Sequence, residues 1–436
     1  MIYNNISELI GNTPILKLPD NYAGIKNIEI YAKLEHMNPF GSLKDRIAKN
    51  MFDEIKDDVK ASGKTIIEAS SGNTGKALSI LCSTNQIPFK AITNRIKIPE
   101  MRMAMQCTGC EIEELPGLSD CPDLNDPNSY TTFADNLAKG EPEKYHYTDQ
   151  YFNEKNWQAH YKSGQEVIGD LGEVDYFFSM LGTTGSSFGM GKAFREKNEN
   201  TEIYGVVAKS GEHIPGARNS NELWEVGFYD RDFYTDILLE TGKGATDGSI
   251  KLIQDLGLLA GPTAGGTFTS ALKKLKELDK KLDGTKEKKK AVFLVCDRVE
   301  LYFNYLNGVS PEIFSESTSS RKKVSDMKSE TDKEFILSSD FVEKNKDDFI
   351  MIDIRGNFPY SIGHIEGSLN IIDEHLTSMV EEGKVFPKKK KLLIICRIGK
   401  NSAQYVNFLR EQGYEAFMLA SGLSGWKKDG LNLIKD

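Results

Sequence analysis

Two groups of residues in this chain could do chemistry. The first opens with Asn38-Pro-Phe-Gly-Ser-Leu-Lys44-Asp-Arg46. A lysine after a Gly-Ser turn at a helix start can condense with a carbonyl, because its flexible ammonium loses its proton readily when buried. A surface lysine fits the same stretch. Ser70-Ser71-Gly72-Asn73-Thr74-Gly75 and Gly182-Thr183-Thr184-Gly185-Ser186-Ser187-Phe188-Gly189 each follow an apolar run and precede a helical one. Such turns aim N–H groups and hydroxyls at an anion, although an ordinary capped strand-to-helix turn has the same composition. Gly261-Pro-Thr263-Ala-Gly-Gly266 is a third turn of this kind. Thr183 and Thr184 fill the place of the second glycine in the dinucleotide fingerprint, which disfavours a nicotinamide cofactor.

The second group is Leu392-Leu-Ile-Ile-Cys396 followed by Arg397-Ile398-Gly399-Lys400-Asn401-Ser402. Backbone N–H groups and a helix N-terminus converge on one sulfur there and stabilise a thiolate, while Arg397 and Lys400 attract anionic donors. A buried strand-end cysteine without chemistry also fits. Cys107-Thr-Gly-Cys110 is a single C-x-x-C at a helix end, with Gly109 as C-cap. It reads as a pair of buried structural cysteines, and no metal site is expected.

Elements must hold these turns in place. Ile28–Leu34, Thr65–Glu68, Phe89–Thr93, Tyr176–Met180, Ile203–Ala208 and 291–296 read as buried strands alternating with helices, which predicts parallel sheets covered on both faces. Lys273–Lys290 reads as the exposed end of a helix and its loop. Residues 306–334 are polar and read as a linker. Beyond it, 348–354, 392–395 and 416–419 read as strands and 402–412 as a helix of a small α/β domain. Over 436 residues the chain is 39% hydrophobic and 27% charged, with net charge −9. That argues against nucleic acid as a partner. No apolar run of about 18 residues suggests a membrane span. Met1–Glu8 lacks the basic and apolar parts of a signal peptide, and six scattered cysteines suit reduced thiols, so a cytoplasmic protein is expected.

From Ile6-x-x-Leu-Ile-Gly-Asn-Thr-Pro14 through Tyr302, the order and spacing of the first group resemble the cysteine synthase / cystathionine β-synthase family of pyridoxal-phosphate (PLP) enzymes, fold type II. The resemblance implies two parallel-sheet α/β subdomains in residues 1–305, PLP as cofactor and Lys44 as its Schiff-base lysine. Asn73 would bond the PLP phenolic oxygen, Gly182, Thr183, Thr184, Gly185 and Ser186 its phosphate, and Thr263 would face its pyridine nitrogen. Ser70, Ser71, Thr74 and Gln150 would hold the substrate carboxylate. A neutral hydroxyl at the pyridine nitrogen weakens the ring as an electron sink and favours β-elimination and replacement. Ile214-Pro-Gly-Ala-Arg218 and Cys296-Asp-Arg298 have counterparts in B-type cysteine synthases. Ala217-Arg218-Asn219 is similar to a stretch in relatives that use O-phosphoserine, where Arg218 would read the phosphate; a structural ion pair is the other reading. Ser70 replaces the usual threonine. Asn94-Arg-Ile-Lys-Ile-Pro-Glu100 departs from the usual Met-Pro-Glu-x-Met-Ser and leaves substrate choice open. The family also implies a homodimer through the PLP domains.

Asp353-Ile-Arg355, Gly363-His364-Ile365-x-Gly367-Ser-x-Asn370 and Gly422-Leu-Ser-Gly-Trp426 complete a pattern over residues 335–436 that resembles rhodanese. By that resemblance Cys396 carries a persulfide, Asp353 and Arg355 are structural, and His364 is a turn residue. Asn401 stands where many such loops have arginine, so the donor stays open. The expected activity is β-replacement on O-acetylserine or O-phosphoserine by a sulfur nucleophile that Cys396 supplies or accepts. The alternatives are sulfide release from cysteine, a non-sulfur nucleophile, or a rhodanese unit that only docks or senses.

Overall fold

The apolar runs build three sheets. The computed structural model describes residues 2–116, 129–223, 227–282, 287–314, 322–383 and 386–435. It divides into two units, Met1–Ser315 and Glu316–Asp436. In the first unit a six-stranded sheet runs in the order Ile15–Lys17, Ile28–Lys33, Lys289–Leu294, Tyr176–Met180, Glu202–Ala208, Asp236–Glu240. Every neighbouring pair is parallel except the first. A second sheet, all parallel, runs Glu111–Glu114, Phe89–Thr93, Thr65–Ala69, Tyr145–Tyr147. Helices cover both faces, so a central strand such as Tyr176–Met180 is buried at every position. The turns singled out above sit past the C-terminal ends of Thr65–Ala69 and Tyr176–Met180, where open parallel sheets bind ligands.

The second unit has a parallel five-stranded sheet in the order Ile336–Leu337, Ala416–Leu419, Lys391–Ile395, Phe349–Asp353, Leu369–Asn370. Its core includes the fully buried Trp426. The chain is thus α/β with two parallel-sheet subdomains and a smaller α/β unit. None of the helices among the described residues is long and apolar enough to cross a membrane.

Two readings need correction. Residues 306–334 are not one linker. Phe303–Val309 and Pro311–Phe314 are helical with Leu306 buried, and Val324 enters the core of the second unit. Asn407 Nδ2 also holds the carbonyls of Lys328 and Glu330 at 3.0 and 2.8 Å. Leu306 and Val324 are the buried apolar side chains of these stretches, too sparse a pattern to stand out among polar residues. Residues 315–321 lie outside the described residues, as do 283–286 of the Lys273–Lys290 stretch, in which a helix ends at Lys281 and a strand begins at Lys289. Cys107 is exposed and Cys110 half-buried, so the pair is not a buried one; Cys121 lies outside the described residues.

A buried ion network fixes the helix Lys44–Ser62 that carries the candidate lysine. Arg46 donates to Glu35 at 2.7 and 2.9 Å and to Glu166 at 2.7 Å, and Lys33 donates to Glu166 at 2.8 Å. Burial works against ionisation of Glu166, yet Arg46 and Lys33 hold its carboxyl down at about 2. Arg46→Met leaves Glu35 and Glu166 facing a low-dielectric interior. The expected loss is about 3–5 kcal/mol of unfolding free energy, read from urea denaturation.

Candidate active site

The ends of both sheets of the first unit open on a cavity of about 530 Å³. Lys44, Ser70, Ser71, Asn73, Thr74, Gln150, Gly182, Thr183 and Arg218 line it. Lys44 is the first residue of its helix, which begins there because Asp45 accepts from Phe40 N at 2.7 Å and from Ser42 Oγ at 3.1 Å and closes the preceding turn. Burial lowers the Lys44 ammonium to about 8, against the pull of Cys296 and Asp297. An appreciable neutral fraction at neutral pH suits a nucleophile and proton acceptor.

Asn73 opens the helix Asn73–Thr84, with Nδ2 donating to Asp297 Oδ2 at 2.8 Å and to the Tyr302 hydroxyl at 3.2 Å. Its Oδ1 is buried and makes no hydrogen bond. Ser70 Oγ accepts from the amides of Gly72 at 3.3 Å and Gly75 at 3.0 Å, so its oxygen serves the turn itself. Thr74 Oγ1 donates to Gln150 Oε1 at 2.6 Å, and Gln150 Nε2 donates to the Ala69 carbonyl at 2.9 Å. Both ends of the Gln150 amide are therefore spent within the protein, whereas Ser71 is exposed at the cavity.

Thr184, Gly185 and Ser186 begin the helix Gly185–Lys197, which has no acidic residue in its first turn. Thr184 takes φ +62°, the left-handed region that costs a β-branched residue strain. Its Oγ1 is buried without a hydrogen bond, as is Asn156 Oδ1. Asn156 Nδ2 donates to Thr183 Oγ1 at 3.0 Å, and a Cβ on Gly185 would stand 2.0 Å from Asn156 Oδ1. Thr263 is buried and donates from Oγ1 to Asp297 Oδ1 at 3.2 Å. Arg218 is 5% exposed and lies over the Tyr151 ring at 5.6 Å.

In the second unit Cys396 Sγ accepts from Gly399 N at 3.1 Å and lies 3.3 Å from Ser402 Oγ. Gly399 takes φ +92° and Gly422 packs so closely that a Cβ would stand 2.4 Å from the Cys396 carbonyl. Cys396 is buried, while Arg397, Ile398, Lys400 and Asn401 are exposed around it at the start of the helix Lys400–Glu411. Arg355 grips Asp353 at 2.7 and 2.9 Å and the Gly363 carbonyl at 2.8 Å, and His364 stacks on Tyr360.

Residues 6–297 match the family of pyridoxal-phosphate dependent enzymes. The chain belongs to that family. Residues 339–429 match the rhodanese-like domain. Cysteine synthase B of Salmonella typhimurium is 30% identical over 69% of this chain and 95% of its own. Among solved structures, a hydrogen sulfide-producing enzyme from Fusobacterium nucleatum matches at TM-score 0.60 and 31% identity, over 69% of this chain and 98% of that one. O-acetyl serine sulfhydrylase isoform 3 from Entamoeba histolytica matches at TM-score 0.59 and 27% identity, over 70% and 91%.

As a member of this family the chain is a PLP enzyme, and its residues fit the cofactor. The unsatisfied Thr184 Oγ1, the helix N-terminus beside it and the absence of an acid in that first turn make an anion cradle among the described residues. The motifs did not reveal Asn156, Asp297 or Tyr302 as parts of the site. Asp297 stands beside Cys296 in a stretch that the resemblance did include; nothing in the sequence around Asn156 marks it.

Proposed function

We propose that the first unit catalyses β-replacement on an activated serine to form cysteine, and that the second unit supplies the sulfur through Cys396. The observation that carries the reading is the cavity itself, whose wall holds a half-buried amine, a buried guanidinium, and Gly182 and Thr183 of the turn that leads into the anion cradle. PLP would be held by Lys44, by Gly182–Ser186 at its phosphate, by Asn73 and by Thr263, and when bound it draws electrons from the substrate's α-carbon so that the α-proton and the β-substituent can leave. Lys44 Nζ takes and holds that proton. Ser71 and the backbone N–H groups at the start of the helix Asn73–Thr84 bind the substrate carboxylate, while the Thr74 hydroxyl, which donates to Gln150, braces the turn. Ser70 and Gln150 support that loop from behind. Arg218 meets the leaving group, and a guanidinium suits a phosphate better than an acetate.

Arg218 gives the first test. Arg218→Ala is expected to raise KM for O-phosphoserine at least about tenfold while changing that for O-acetylserine less than about threefold, the difference one charge-assisted hydrogen bond makes. An equal loss on both esters makes Arg218 structural.

On the sulfur side, thiosulfate would give its sulfane sulfur to the Cys396 thiolate with loss of sulfite. Two equivalents of a small thiol then release that sulfur as hydrosulfide and leave as a disulfide. A second reading, sulfide release from cysteine, draws on the hydrogen sulfide-producing relative.

A further inference from the structure

Beneath the substrate turn lies a buried carboxyl with no role in the account above. Glu68 stands in the strand Thr65–Ala69, two residues before Ser70, and is fully buried. Its Oε2 bonds the Thr148 hydroxyl, and its Oε1 accepts from the Gln150 backbone amide at 3.4 Å. Gln150 is a junction. Its side chain holds Thr74 of the substrate turn at 2.6 Å and the Ala69 carbonyl at 2.9 Å. Its carbonyl accepts from Asn156 Nδ2 at 2.7 Å, and the same nitrogen donates to Thr183 Oγ1 of the phosphate turn at 3.0 Å. Gln150 thus ties a turn of the four-stranded sheet to a turn of the six-stranded one, and Glu68 holds Gln150.

The surroundings keep Glu68 neutral at neutral pH. Burial, joined by the charge of Asp149, pushes the carboxyl up to about 8, although Thr148 and the backbone and side-chain amides of Gln150 pull it back. The Tyr147 phenol also faces it and stays protonated through burial. Tyr151 and Tyr130 follow beyond Tyr147, and Asp135 beyond Asp149. Each of these groups is an acid, and the Arg218 guanidinium lies over the Tyr151 ring at 5.6 Å. As a neutral acid Glu68 can give its hydrogen to Thr148 Oγ1, which frees the hydroxyl hydrogen for the Ile67 carbonyl at 3.3 Å. Loss of the Glu68 proton removes one of those two bonds. It also sets a charge beside Asp149 in an interior that cannot solvate it.

We infer that Glu68 is a positioning residue: through Gln150 it sets the substrate-carboxylate turn against the cofactor-phosphate turn, and it does so in its neutral form. The inference rests on the placing of the substrate carboxylate at Ser71 and the start of the helix Asn73–Thr84. When Glu68 ionises, it and Asp149 repel, the Asp149–Gln150 stretch shifts, and Thr74 loses its brace. Carboxylate affinity therefore falls as pH rises through about 8, where Glu68 gives up its proton, and is level below that.

The test is the dissociation constant of propionate on the holoenzyme, measured by calorimetry at about pH 7 and about pH 9. Propionate carries a carboxylate and no amine, so it does not titrate in that window. Wild type is expected to bind about tenfold more weakly at the higher pH, in proportion to the protein that still holds the Glu68 proton. Glu68→Gln keeps an uncharged donor and acceptor of the same shape. It is expected to match wild type at the lower pH and to bind about tenfold tighter than wild type at the higher. Lys44 and the cofactor are the same in both proteins, so the ratio of the two affinities isolates Glu68. A wild-type affinity equal at both pH values overturns the inference without any variant. So does a Glu68→Gln protein that weakens with pH as wild type does, or one that melts like wild type yet binds poorly at the lower pH. Ser71→Ala tests the layer beneath: a propionate affinity it leaves unchanged overturns the placing of the carboxylate itself.

Discussion

Lys44→Ala is expected to lower cysteine formation by about three orders of magnitude, the usual contribution of a positioned general base, and to leave PLP dialysable, because the proposed covalent anchor is gone. Protein stability changes little, since the helix starts on the Asp45 turn and is held by Arg46, not by the lysine amine. The pH dependence carries a sign. Lys44 is lowered from the ordinary lysine range to about 8, so its neutral form gains as pH rises through that value. Reductive methylation of the cofactor-free protein should therefore modify Lys44 half-maximally near pH 8, well before exposed lysines. Peptide mass mapping across a pH series checks this, and modification of Lys44 only in the range of surface lysines contradicts the assigned environment.

Cys396→Ala removes the thiol that accepts from the Gly399 amide at the start of the helix Lys400–Glu411. Cysteine formation from thiosulfate and a small thiol is expected to fall at least about a hundredfold, while formation from free sulfide stays within about twofold. The first number follows from losing the nucleophile; the second from the location of Lys44, Asn73 and the anion cradle, all within Met1–Ser315. Cys396→Ser distinguishes nucleophilicity from packing, because it keeps an acceptor for the Gly399 amide and still fails with thiosulfate. Equal loss with both sulfur sources would assign Cys396 a structural role.

Much of this was legible in the sequence because the informative residues are local. Lys44, the Ser70–Gly75 turn, the Gly182–Gly189 turn and the Cys396 loop each lie on one strand-to-helix connection, so type and spacing already describe their geometry. The central strands were legible for a similar reason: burial on both faces makes them continuous apolar runs. The edge strands Ile15–Lys17, Glu111–Glu114 and Asp236–Glu240 were not, since exposure dilutes the pattern. Asn156, Asp297 and Tyr302 were missed for a deeper reason. Each gains its meaning from a partner far along the chain, as when Asp297 meets Asn73 across 224 positions. The same holds for Ser70 and Gln150, whose motif positions suit a substrate but whose polar atoms are engaged by Gly75 and Ala69.

The central claim is that sulfur held on Cys396 ends on the β-carbon of serine. Its most direct measurement is an isotope transfer: the protein is loaded from thiosulfate labelled in the sulfane position, separated from excess donor, and given a serine ester with two equivalents of thiol. The account predicts that the label appears in cysteine, stoichiometric with the persulfide consumed. Label that leaves as sulfide or stays on Cys396 while no labelled cysteine forms would contradict it.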